Sequence, residues 1–266
     1  MTTARDILVI DDELIVLQGV ERVCGSEGLS IDTATSGASG LERLNRYSYR
    51  LILCDIMMED LDGFEFLAEA QRRGCRTPVV MTTGYSTIEN AVRSLQCGAI
   101  DYLPKPFMAD ELMAVVRRGL SYGAVHAGDA RPCPPGFCRL GYVSWARTEP
   151  EGTVLIGVND LFVRTMKGVR SVELLPVGTD LVQGSGCATF VSSDGLEHGV
   201  MCPVSGRVIE AHAEAAELPP TIEEDPYGTG WLYRIVPFNL EHSLSHLASM
   251  ADTPSPPGVE RQGERS

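Results

Sequence analysis

Lysine is nearly missing from this chain: two of 266 residues, Lys105 and Lys167. Arginine does not make up the difference, because Lys and Arg together number 22 against 36 Asp and Glu, for a formal charge of −14. The deficit is spread evenly: residues 1–120 carry 12 basic against 18 acidic side chains, and residues 121–266 carry 10 against 18. Neither half shows the basic face with which a DNA-binding output neutralises phosphates. No helix-turn-helix pattern appears either, so a transcription factor is disfavoured and no nucleic-acid partner is expected. Long apolar runs are missing too. They reach only a few residues, far short of the ~20 that a membrane helix needs. The start, Met1 to Arg5, enters a strand pattern directly and has no signal-peptide core. A cytoplasmic protein with no membrane partner is the expectation.

Cysteine is present eight times, but close metal-ligand spacing is lacking among the four in the first half. Cys24, Cys54, Cys75 and Cys97 fall on apparent helices and strands and read as small buried hydrophobes in a reducing compartment. Cys133 and Cys138 lie in the turn-rich Pro-Cys-Pro-Pro-Gly-Phe-Cys stretch, where a metal clip would want a second pair or histidines nearby. Hydrophobic residues make up 44% of the chain, enough for real cores, and its length suits two domains of ordinary size.

What is there in the first half is alternation. Short apolar runs end at chemically interesting residues: Ile7-Leu-Val-Ile10 before Asp11-Asp12, Leu51-Ile-Leu-Cys54 before Asp55, Val79-Val-Met-Thr82 before Thr83, and Ile100 to Pro104 before Lys105. Between them lie helical patterns, the first with Leu14, Leu17, Val20 and Val23 and the last over residues 108–120. Five such βα units predict a doubly wound α/β domain with a parallel sheet covered on both faces. All its strand ends then point at one edge, where ligands bind. Three carboxylates, a hydroxyl and a lysine converge there, a set suited to a divalent cation and a phosphoryl group.

Residues 122–140 read as a linker, and a β-rich domain follows at 141–241 with short strand patterns between Gly, Pro, Asn and Asp, a small sandwich or barrel. Residues 239–250 carry one short helical pattern. The end of the chain, 242–266, is expected to hold the end of that helix and a disordered tail from Thr253 onward.

Residues 6–121 resemble the receiver domain of two-component response regulators. Asp11-Asp12, Asp55, the loop from Asp55 to Gly63, Thr83-Gly84, Tyr102 and Lys105-Pro106 carry the likeness, in order and spacing. The resemblance implies a flavodoxin-like fold in which Asp55 is the phosphoacceptor. It implies Mg²⁺ on Asp11, Asp12, Asp55 and the backbone carbonyl of Met57 through oxygen ligands. It makes Lys105 the cation on the phosphoryl group and Thr83 and Tyr102 the switch pair, and it implies a cis Lys105-Pro106 bond. A sensor histidine kinase is the implied partner, and phosphorylation-dependent dimerisation is a family habit. Departures exist. Glu59 stands where Pro is usual, and the bulky Met57 and Tyr85 orient a hydrolytic water poorly, so a slowly hydrolysed phosphate is expected.

Residues 142–238 resemble the H protein of the glycine cleavage system. The likeness rests on Trp145, Gly152-Thr-Val-Leu-Ile-Gly-Val158, Val172 to Gly178, Pro203-Val-Ser-Gly206 and Glu224-Asp-Pro-Tyr-Gly-Thr-Gly-Trp231. That family carries lipoate on a hairpin lysine about eight residues before Pro-Val-Ser-Gly. Here the position is Gly195, Ser192 replaces the neighbouring Glu, and Lys167 falls in a different loop, so no lipoate is expected. Asp194-Gly195 reads as a two-residue type I′ turn pairing 193 with 196, which sets Cys187 opposite Cys202 as core thiols. His198 reads as a solvated loop residue. A non-enzymatic signalling protein follows, with the H-like domain as a protein-binding output of unnamed partner. The alternatives are a regulator or decoy of glycine-cleavage and lipoyl metabolism, or a redox sensor using Cys133, Cys138, Cys187 and Cys202.

Overall fold

A computed structural model describes residues 4–85, 87–125 and 131–249, and the expected disordered tail lies outside them. Two compact units are present: residues 4–85 with 97–125, and residues 131–249 with the segment Thr87–Gln96. No helix among the described residues is long and apolar enough to cross a membrane.

Along the first part of the chain strands and helices alternate: β1 (Ala4–Ile10), α1 (Leu14–Ser26), β2 (Ile31–Ala34), α2 (Gly37–Arg46), β3 (Ser48–Asp55), α3 (Gly63–Arg72), β4 (Val79–Thr83), α4 (Ile88–Gln96), β5 (Asp101–Pro104) and α5 (Ala109–Tyr122). The sheet order is β2-β1-β3-β4-β5 and every pairing is parallel, the flavodoxin-like doubly wound arrangement. Ile7, Leu8, Ile10, Leu51 and Ile52 are fully buried, as strands covered on both faces require. Helix α1 forms where Leu17, Val20 and Cys24 recur at helical spacing on the buried side, and the chain leaves it through Gly28 at φ 77°. Helix α3 starts at a reciprocal cap: Asp62 accepts from the Glu65 N–H at 2.7 Å and Glu65 accepts from the Asp62 N–H at 3.1 Å.

The second unit is built from β6 (Cys138–Leu140), β7 (Ser144–Thr148), β8 (Val154–Val158), α6 (Asp160–Arg164), β9 (Val169–Leu174), β10 (Asp180–Leu181), β11 (Gly186–Ser192), β12 (Glu197–Met201), β13 (Gly206–Ala211), α7 (Ala213–Glu217), α8 (Pro220–Glu224), β14 (Tyr233–Pro237), α9 (Leu240–Ser245) and β15 (Ala248–Ser249). Strand β6 lies inside the expected linker, whose residues 126–130 are outside the described set. A seven-stranded sheet, β10-β13-β14-β8-β7-β6-β15, and a three-stranded one, β12-β11-β9, are antiparallel throughout. Phe190 and Val200 from the small sheet share one core with Ile156, Val208 and Ile235 from the large one, a sandwich. Tyr233 pins the sheets together, donating to the Cys187 carbonyl at 2.7 Å and accepting from the Leu175 N–H at 2.7 Å. Gly157 is glycine because Trp145 lies across it: a Cβ there would sit 2.5 Å from the indole ring. The indole N–H donates to the Pro226 carbonyl at 3.1 Å.

The β11–β12 hairpin departs from the expected register. Val191 pairs with Glu197 and Phe190 with His198, and the Ser192 N–H donates to the Leu196 carbonyl at 2.9 Å. The loop therefore has three residues, Ser193 to Gly195, of which Gly195 alone has positive φ, at 84°. That is the three-residue hairpin with glycine in the left-handed position, in place of a type I′ turn. A bulge between Gly186 and Ala188 shifts the ladder by a further residue and leaves Cys187 out of the pairing. The buried Cys187 thiol nevertheless lies against Cys202.

Candidate functional site

The parallel register aligns the strand ends. Ile10 lies beside Ala34 and Cys54, Asp55 beside Thr82, and Thr83 beside Pro104. Residues one step past these ends therefore share one edge. The chain is stitched there by main-chain bonds: the Asp11 N–H to the Ala34 carbonyl at 3.0 Å, the Ile56 N–H to Thr82 at 2.8 Å, and the Lys105 N–H to Thr83 at 2.8 Å.

Asp11 and Asp55 are buried and Asp12 is exposed, and ligand oxygens of all three lie within 4.8 Å of one another. Lys105 reaches in from the β5 end. Its ammonium is 2.7 Å from Asp11 Oδ2 and 3.0 Å from Asp55 Oδ1. Backbone donors hold the two buried carboxylates in place: the Glu13 N–H to Asp11 Oδ1 and the Met57 N–H to Asp55 Oδ2, each at 3.0 Å. Gly63 sits directly behind, its N–H donating to the Ile56 carbonyl at 2.9 Å, where any side chain would overlap the Asp55 carbonyl. Thr83 is fully buried, with its Oγ1 accepting from the Tyr85 N–H at 3.1 Å. Tyr102 is turned inward at 8% exposure, and its buried hydroxyl has no hydrogen-bond partner among the described residues. The Lys105-Pro106 bond is cis.

Burial pushes the Asp55 carboxyl up to about 6; Lys105 pulls it down, and the nearby Asp11 charge adds to the rise. Burial likewise raises Asp11, against the pull of Lys105. Burial disfavours the Lys105 ammonium, but pairing with Asp11 and Asp55 outweighs this and raises it. Two buried, destabilised carboxylates beside an exposed third are a hard-oxygen donor set that a divalent cation fits. Among the described residues this is the one acidic cluster with such spacing.

The sequence reading did not single out Glu13. Its Oε1 lies 3.3 Å from the Lys105 ammonium, a third carboxylate on that lysine. The available signal was its place directly after the acidic pair.

At the second unit's hairpin one expectation is corrected. His198 is not solvated: it is 3% exposed, and its Nε2 lies 3.0 Å from the Oγ of the fully buried Ser192. Strand pairing, absent from a bare loop reading, turns it inward. Lys167 is remote from the turn in sequence but not in space, with its ammonium 3.9 Å from Asp194 Oδ2. The Ser193 N–H, bonded to the Gly168 carbonyl at 3.1 Å, draws that loop beside the tip. Gly195 itself occupies the left-handed region, where a side chain is strained.

Comparison with known proteins agrees with both halves of this description. Residues 7–117 match the response regulator receiver domain family and residues 139–254 match the glycine cleavage H-protein family. The regulatory protein AtoC of Escherichia coli (strain K12) is 37% identical over 120 residues, which is 45% of this chain and 26% of AtoC. The chain thus spans about a quarter of that relative's length. The receiver domain of NtrX from Brucella abortus is 38% identical, with a TM-score of 0.42 over 43% of this chain and 98% of that one. A glycine cleavage system H protein from Mycobacterium marinum is 26% identical, with a TM-score of 0.41 over 45% of this chain and 94% of that one. A response regulator receiver domain and a glycine cleavage H-protein-like domain are joined in this single chain.

Proposed function

We propose that the chain is the phosphoacceptor of a two-component relay and that its second domain is a non-lipoylated, protein-binding output. The observation that carries the first part is the Asp55 carboxylate, buried at a strand end with Lys105 at 3.0 Å and two further aspartates around it. A carboxylate is a weak nucleophile, so an acceptor needs positive charge set around the phosphoryl oxygens. Bound Mg²⁺, held by Asp11, Asp12, Asp55 and the Met57 carbonyl, would supply most of that charge. An Asp55 oxygen attacks phosphorus, the new P–O bond forms as the P–N bond of a kinase phosphohistidine breaks, and the imidazole leaves with the electron pair. Lys105 then pairs with a phosphoryl oxygen. Thr83 donates its hydroxyl to another, which biases its loop and Tyr102 toward the signalling arrangement. No external substrate is turned over.

Support for the output reading lies in the hairpin. The turn presents glycine in a left-handed conformation where the related carrier presents lysine, while the packing of Trp145 on Gly157 keeps the scaffold intact. Phosphorylation would alter how this scaffold meets another protein in the cell's interior.

The test is incubation with Mg²⁺ and acetyl phosphate, read by intact mass. We expect one acid-stable, base-labile phosphoryl adduct on the wild type and none on Asp55→Asn or without Mg²⁺. An equal adduct on Asp55→Asn would refute the assignment. The adduct should persist for many minutes after donor removal, given Met57 and Tyr85 at the mouth. A lifetime of seconds would remove the slow-hydrolysis expectation. Affinity capture with beryllofluoride, wild type against Asp55→Asn, then separates a gated adaptor from a constitutive binder of glycine-cleavage enzymes.

A further inference from the structure

We propose that Glu13 is a positioning residue that competes with the incoming phosphoryl group for Lys105, and so sets how fast Asp55 is charged by small anionic donors. The proposal rests on the acceptor reading of Asp55.

An ammonium has three N–H donors, and Lys105 faces three carboxylates: Asp11 at 2.7 Å, Asp55 at 3.0 Å and Glu13 at 3.3 Å. A phosphoryl oxygen that reaches this lysine competes with them, and with Glu13 through the hydrogen bond it accepts from the ammonium. The three are not equally held. The Asp11 and Asp55 side chains are 2% and 3% exposed, and each has its second oxygen fixed by a backbone N–H. Glu13 makes the longest of the three contacts from a side chain 59% exposed, on a flexible stem. It is the ligand that yields. Because its own N–H anchors Asp11, Glu13 is tied into the site by its backbone while its side chain is free to leave.

Two effects follow. Glu13 occupies the solvent side of Lys105, so the donor must break that ion pair before its oxygen is neutralised. Glu13 also places a further negative charge at the mouth through which a phosphorylated anion enters. A rim charge of this kind acts mainly on rates and in a salt-dependent way. A donor delivered on a kinase surface brings its own contacts and should feel the effect less.

The experiment uses the full chain with acetyl phosphate at saturating Mg²⁺. Phosphorylation rates of the wild type, Glu13→Gln and Glu13→Asp are measured by intact mass, with Asp55→Asn as blank. Glu13→Gln should charge ~3- to 10-fold faster, with less salt dependence than wild type. Glu13→Asp keeps the charge but shortens the reach to Lys105, and it should also be faster than wild type. Wild-type behaviour of Glu13→Asp would overturn competition for Lys105 and leave only a general field. Equal rates for the wild type and both Glu13 variants, with the wild type phosphorylated, would sink the role of Glu13 alone. No adduct on the wild type would instead sink the acceptor reading on which this stands.

Discussion

Asp55 is held in a state it disfavours. Burial lifts its carboxyl to about 6 in the fold, with Lys105 opposing and Asp11 adding to the rise, above the ordinary carboxylate value of ~4. A raised folded value means that the native state binds the proton more tightly than the unfolded chain. This contribution to stability is complete below the ordinary value and is lost as pH rises through about 6. Metal-free protein should therefore lose about 2 kcal/mol between roughly pH 4 and pH 7 through this site, seen in urea melts across that range. Asp55→Asn should flatten the profile, and an unchanged slope in the variant would place the titration elsewhere. Mg²⁺ works in the opposite direction, since it requires the deprotonated carboxylate, and its affinity should tighten as pH rises. The acceptor, the acidic pair and the lysine were legible because each directly follows an apolar run that the parallel sheet must bury. Glu13 was not, because nothing in its spacing distinguishes a rim side chain that bends back to Lys105 from one that faces water.

At the scale of elements, the turn from β3 into α3 is the tightest joint near the site. A Cβ on Gly63 would overlap the Asp55 carbonyl and come within 2.9 Å of Ile56 Cα, both backbone atoms that cannot rotate away. Gly63→Ala should cost about 2–4 kcal/mol and slow phosphorylation by shifting Asp55, whereas Gly74→Ala, which meets nothing within 4 Å, should leave the rate unchanged despite its positive φ. Equal phosphorylation rates in Gly63→Ala and the wild type would refute the strain argument. The βα elements could be read from periodicity, since their apolar runs and glycine stops leave little choice. The hairpin β11–β12 could not: Asp194-Gly195 favours a two-residue turn locally, but the actual loop holds three residues and a bulge at Cys187 shifts the register once more. The five-residue helices α6, α7 and α8 were missed for a similar reason, because a single turn of helix has no period to detect.

For the whole molecule, the main question is whether the H-like domain still carries a prosthetic group. Produced in a host with lipoate-attaching enzymes and excess lipoate, the protein should show no lipoyl adduct by intact mass. An adduct lost in Lys167→Arg would show that the amine beside Asp194 has taken over from the missing hairpin lysine. Sequence order alone set Lys167 apart from the tip; only strand pairing between β9 and β11 brings the two loops side by side.

The scarcity of lysine also makes the molecule chemically addressable. Lys105 is 10% exposed and closed in by carboxylates, whereas Lys167 stands 66% exposed. An amine-reactive fluorophore would therefore enter the side chains of the folded protein at one place, on the loop beside the turn where a carrier would bear its cargo. The untouched protein thus comes with a built-in reporter position on its output domain, to be read while Asp55 is charged and discharged.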